Sequence, residues 1–127
     1  TMFSHIMLGS TDLGEVKAFY YATLGALGHG TGTQDDKGRV FWFTPTGIFS
    51  VSIPIDGNSA SCANGGTIGF AAKSPEECDA WHAAGLAHGG TAIEDPPGVR
   101  DGGAMKLYLA YLRDPAGNKV CAMYRMP

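Results

Sequence analysis

The chain has 127 residues, 44% of them apolar and 17% charged, a composition that excludes disorder and suits one domain. Nine Lys and Arg against twelve Asp and Glu give a net charge of −3, and no basic run occurs, so nucleic acid is not an expected partner. No apolar stretch approaches the roughly 18 residues of a membrane span, and the N-terminus lacks a charged segment followed by an apolar one, so neither a membrane nor secretion is expected.

In chain order, Phe3–Gly9 reads as a short apolar strand. Asp12 with Glu15 is a helix-start signal, and Leu13, Val16, Phe19, Tyr20 and Leu27 form a helical stripe that stops at Gly28. Strands are expected at His29–Gln34, Arg39–Thr44 and Ile48–Ile53, the last two joined by Pro45-Thr46-Gly47. Residues 56–66 are rich in Gly, Ser, Ala and Asn and read as a linker. The order then repeats. Thr67–Ala72 is a strand, and Ser74-Pro75-Glu76-Glu77 is a capping box with Pro at the first helical position. That helix stops at Gly89-Gly90. Strands follow at Thr91–Glu94, Lys106–Arg113 and Lys119–Tyr124. The last two are joined by Asp114-Pro115-Ala116-Gly117-Asn118, where Pro sets φ and Gly takes φ > 0. The stretch Glu94–Lys106, full of Pro and Gly, reads as a long loop, either a lid whose Arg100 meets an anion or a solvated connection.

The repetition is also visible in the letters. Offset by 62 residues, His5–Gly28 lies over Thr67–Gly90, and six of the 24 pairs are identical, among them Ile6/Ile68, Glu15/Glu77 and Leu24/Leu86. Composition alone gives about two. The chain is therefore expected to be two βαβββ modules, 1–55 and 67–127, joined by 56–66. They would form an α+β fold in which a curved mixed sheet surrounds a cavity with helices outside. The three cysteines, Cys62, Cys78 and Cys121, are odd in number and scattered, and read as reduced thiols of a cytoplasmic protein.

Three stretches resemble the vicinal oxygen chelate superfamily, which includes glyoxalase I, extradiol dioxygenases, and fosfomycin- and bleomycin-resistance proteins. They are Phe3-Ser4-His5-Ile6-Met7-Leu8-Gly9-Ser10-Thr11-Asp12-Leu13, Phe19-Tyr20 followed by Leu24-Gly25, and Tyr111-Leu112-Arg113-Asp114-Pro115-Ala116-Gly117-Asn118. The resemblance implies a divalent ion held at four inward points, which fall here on His5, Thr67, Cys121, and either Ser50 or Ser52. The usual residues there are His, Glu or Gln, and only His5 matches.

Two weak candidates for metal, His5 and Cys121, fall short of the three protein ligands a catalytic ion needs. The expected cofactor is therefore none, or a weakly bound Zn, Ni, Mn or Fe. Without charged neighbours Cys121 reads as an inert buried thiol, or as half of a Cys–His pair if His5 faces it across the cavity. Strand alternation puts Phe3, His5 and Met7 on one face and Ser4, Ile6 and Leu8 on the other. It likewise separates Cys121 and Met123 from Val120, Ala122 and Tyr124. The expected cavity lining is His5, Met7, Trp42, Ser50, Ser52, Thr67, Tyr111, Cys121 and Met123. Alternation also separates Phe41 and Phe43 from Trp42, without saying which side faces the cavity.

His29, His82 and His88 read as surface residues. The expected partners are a small-molecule ligand and a second copy of the chain. The function is small-molecule binding by a glyoxalase- or bleomycin-resistance-like protein. It is either a metal-dependent lyase or dioxygenase relative with a degraded site, or a metal-free binder.

Overall fold

Each helix is fixed at both ends by the residues that mark it in the sequence. The computed structural model describes residues 2–127. After strand β1 (His5–Gly9), Asp12 accepts a hydrogen bond from the backbone N–H of Glu15 at 3.1 Å and opens helix α1 (Leu13–Ala26). Ser74 does the same for Glu77 at the start of α2 (Pro75–Ala87), and Glu77 returns a carboxylate oxygen to the N–H of Lys73. Gly28 and Gly89, both at φ 90°, end the two helices. The helices start 62 residues apart but end 61 apart, so the second has lost one residue.

The remaining strands are β2 (Thr33–Gln34), β3 (Val40–Thr44), β4 (Gly47–Ser52), β5 (Ile68–Ala71), β6 (Thr91–Ala92), β7 (Gly98–Asp101), β8 (Lys106–Arg113) and β9 (Lys119–Arg125). Two mixed sheets result. The first has the order β1-β4-β3-β2; the second runs β5-β9-β8-β6, with β7 also paired to β8. In each, the opening strand lies parallel to the last one and forms an edge. The α+β class and the repeated module are as expected, but the sheets remain separate rather than joining. Strands β2 and β6 are two residues long, shorter than the sequence suggests. The expected loop 94–106 contains β7. Glu94 turns the chain at φ 59° and pairs with Lys119, and Val99 then lies opposite Tyr108.

The helices pack against each other; α2 also lies over β8 and β9, and α1 touches β4. Val16, Phe19, Tyr20, Trp81, Leu112 and Val120 are buried between these layers. Gly85 permits the close approach of α2 to β8, because a Cβ there would sit 2.2 Å from Leu112 Cδ1. Trp42 belongs to this layer as well: it is 3% exposed and meets Tyr21 edge-on at 5.6 Å. It was expected on the cavity face. Alternation separates Trp42 from Phe41 and Phe43, and the rings of α1 take the larger side chain.

A buried polar cluster adds a second tie between the halves. Tyr20 on α1 donates its hydroxyl to Asp114 Oδ2 at 2.6 Å. Ala116 N, Asn118 N and Asn118 Nδ2 donate to the same carboxylate. Asn118 Nδ2 also reaches the carbonyl of Gly9 on the edge of β1 at 3.2 Å. Four donors satisfy the buried Asp114, which is why a charge is tolerated there.

Burial, and next the Asp114 charge, hold the Tyr20 hydroxyl well above its ordinary 10.0. The folded state therefore keeps the proton that the unfolded state gives up near pH 10. Stability from this tyrosine is full below that pH and falls as pH rises beyond it. Tyr20→Phe is expected to cost roughly 1.5–3 kcal/mol at pH 7 in chemical denaturation. Its stability should also fall less steeply above pH 10 than that of the parent. Equal slopes would contradict the assignment.

Candidate functional site

The faces turned away from the helices carry the residues expected to line a cavity. On the first sheet, Met7 lies opposite Ser50, which lies opposite Phe41. His5 lies opposite Ile48, and Ile48 opposite Phe43, on the same face. On the second sheet, Gly69, Cys121 and Tyr111 are in line, as are Ala71, Met123 and Leu109. The registers make Ser50, rather than Ser52, the repeat counterpart of Cys121, because Met7 pairs with Ser50 as Gly69 pairs with Cys121.

The donor set does not fit a resident divalent ion. Ser50 is fully buried and its hydroxyl donates to the carbonyl of Ile6 at 2.7 Å. Ser52 donates to Ile53 O. Thr67 is exposed, and His5 Nδ1 lies 2.8 Å from Ser4 Oγ. Burial pushes the Cys121 thiol up to about 11, against a smaller opposing pull from Lys119. Among the described residues no three His, Cys, Asp or Glu side chains gather where an ion could sit. A protonated thiol and hydroxyls already spent on carbonyls offer little to offset the dehydration of a cation.

Two hollows remain. The first is a crevice of about 190 Å³ with walls from both halves: His5 and Ile6 on β1, Trp42, Phe49, Leu24 and His29, and Ile68, Gly69 and Phe70 on β5. It lies where the edge strands β1 and β5 approach without pairing, and its floor is aromatic. Phe49 meets Phe70 edge-on at 5.0 Å and Tyr20 at 4.8 Å. The buried indole Nε1 of Trp42 finds no hydrogen-bond partner among the described residues. Trp42 thus meets the crevice from the core side. His29, read from the sequence as a surface residue, lines the crevice; it directly follows the glycine that turns the chain out of α1, and that turn was legible. The second hollow, about 550 Å³, lies beside Met7, Gly9 and Ser52 and is bounded by Lys37, Arg39 and residues 53–55. Its residues were not singled out in the sequence, apart from Met7 and Ser52.

Arg100 is not free to read an anion. From β7 its guanidinium folds back and donates to the carbonyls of Gly98, Asp95 and Pro96 at 2.9–3.1 Å. These three carbonyls are left over by the Pro-rich turn, and Arg100 satisfies them.

A model of the Glyoxalase/Bleomycin resistance protein/Dioxygenase superfamily matches residues 2–122, and the chain belongs to that superfamily. Among solved structures it is similar to a glyoxalase/bleomycin resistance protein from Albidiferax ferrireducens T118. That match has 57% identity and a TM-score of 0.94, covering 98% of this chain and 100% of the other. A glyoxalase-related enzyme from Fulvimarina pelagi shares the fold at 17% identity and a TM-score of 0.72, over 98% and 88% of the two chains. A glyoxalase/bleomycin resistance protein/dioxygenase family enzyme from Burkholderia phytofirmans PsJN shares it at 15% and 0.69, over 97% and 98%. No curated protein matches the chain. No helix among the described residues is long and apolar enough to cross a membrane.

Cys78 is also pushed up to about 11 by burial, whereas Cys62 is exposed. At pH 8 roughly one in a thousand of a thiol with that pKa is the reactive thiolate. Mass spectrometry of protein treated with iodoacetamide should find Cys62 modified at least about 100-fold faster than Cys121. Comparable rates would mean that Cys121 is an activated thiol.

Proposed function

We propose that this chain is a metal-free small-molecule-binding member of its superfamily, and that the crevice between β1 and β5 takes a single-ring aromatic ligand bearing a hydrogen-bond acceptor. The observation that carries this reading is the aromatic crevice built from both halves, with Trp42, Phe49 and Phe70 in its walls and two imidazoles at its rim. The crevice is smaller than the roughly 300–1,000 Å³ of drug-sized sites, so the ligand is small. The imidazoles of His5 and His29 offer further polar contacts at the walls. The weak donor set described above favours this over the metal-dependent lyase or dioxygenase reading.

NMR titration with a panel of single-ring aromatics carrying carbonyl or nitrile acceptors tests the reading. At least one member is expected to shift the indole N–H of Trp42 but not that of Trp81, equally with and without EDTA. If no member moves Trp42, the crevice is not the site; if binding requires added metal, the metal-dependent reading replaces this one.

We also propose that two copies pair through the open face of the first sheet. Phe43 is 64% exposed there, and Phe41 stacks on it at 5.9 Å, leaving an apolar patch on a sheet whose other face is already packed. Light scattering is expected to give twice the 13.3 kDa chain mass, reduced to one chain by Phe43→Asp. A single-chain mass for the parent would contradict the pairing.

A further inference from the structure

We propose that the second hollow binds a small organic acid, with its carboxylate on Arg39 and Lys37 and its apolar body along Met7, Ile53, Pro54 and Ile55. The hollow shares no residue with the crevice, so the two readings stand or fall separately.

Its volume of about 550 Å³ is that of an ordinary ligand site. Its apolar wall is costly to leave in water: Ile53 is 44% exposed and Ile55 fully exposed. The polar end is prepared in advance. Asp35 Oδ1 accepts the backbone N–H groups of Lys37 and Arg39 at 3.0 and 2.9 Å, and Asp35 N donates to Arg39 O, closing a tight turn. From that turn the Arg39 guanidinium is held on two sides. Its Nε donates to Asp35 Oδ2 at 2.7 Å, and its plane lies over the Phe41 ring at 5.6 Å.

Among the described residues the two terminal nitrogens of Arg39 donate to no protein group. They are a planar pair of donors with the spacing of a carboxylate. Of the charged residues on the turn, Asp35, Asp36, Lys37 and Arg39, only the two cations line the hollow. An acid with an apolar chain satisfies both ends. A neutral amphiphile leaves the fork unpaired, and a bare anion leaves the apolar wall wet.

Calorimetric titration with octanoate, octanol and acetate, together with NMR of the Met7 methyl group and the Trp42 indole, tests the proposal. Octanoate is expected to bind saturably at one site per chain and to shift Met7. Octanol and acetate are each expected to bind at least about tenfold more weakly, as is octanoate to Arg39→Gln. Arg39→Gln also loses the Asp35 pair, so Ile55→Asp is the second probe; at a fully exposed position it leaves the fold intact and should weaken octanoate several-fold. No saturable octanoate binding, equal affinity for octanol, or full affinity in both variants would overturn the proposal. So would octanoate shifting Trp42 in place of Met7, and that result would leave the crevice reading standing.

Discussion

The hydrogen bond from Tyr20 to Asp114 joins residues 94 positions apart and holds the two halves in one arrangement. Asp114 shapes its own turn by accepting from Ala116 and Asn118, and the same carboxylate receives the hydroxyl of a helix in the other half. Asn118 adds the bond to Gly9, so the end of β1 is pinned to the turn before β9. At this end the edge strands β1 and β5 are held in place through side chains rather than a shared ladder. The crevice opens where β1 and β5 approach without pairing, over the edge-on contact of Phe49 with Phe70.

Local signals carried most of the fold. The caps at Asp12 and Ser74, the glycine stops, and the turn at 114–118 all act within a few residues, and the structure keeps each one. Alternation also separated the faces of β9, with Val120 and Ala122 under a helix and Cys121 and Met123 on the opposite face. It failed where it had no anchor. In Phe41-Trp42-Phe43 every residue is aromatic, so the pattern defines two sides without saying which meets the helices; the rings of Tyr20 and Tyr21 decide it. Strand β7 was hidden because Pro96, Pro97 and Gly98 read as breakers, whereas pairing with β8 outweighs local propensity.

The site was legible only in part, for the same reason. Positions 5, 67 and 121 could be numbered from the resemblance and the fourth only as 50 or 52, until the pairing of Met7 with Ser50 chose between them; their poor ligand character could be read from the residue types. Whether a hydroxyl is free is a tertiary property: the bond from Ser50 to Ile6 O is set by the pairing of β1 with β4. The partnerless indole of Trp42 and the oriented fork of Arg39 are likewise products of packing. The indole N–H is sealed in the core, whereas the fork stands beside an apolar wall.

A double-mutant cycle on Tyr20→Phe and Asp114→Ala, read by urea denaturation, tests the lock most directly. A coupling energy above about 1 kcal/mol is expected, since residues sharing a buried hydrogen bond are not additive. Stability changes that simply sum would mean that the halves are held by apolar packing alone.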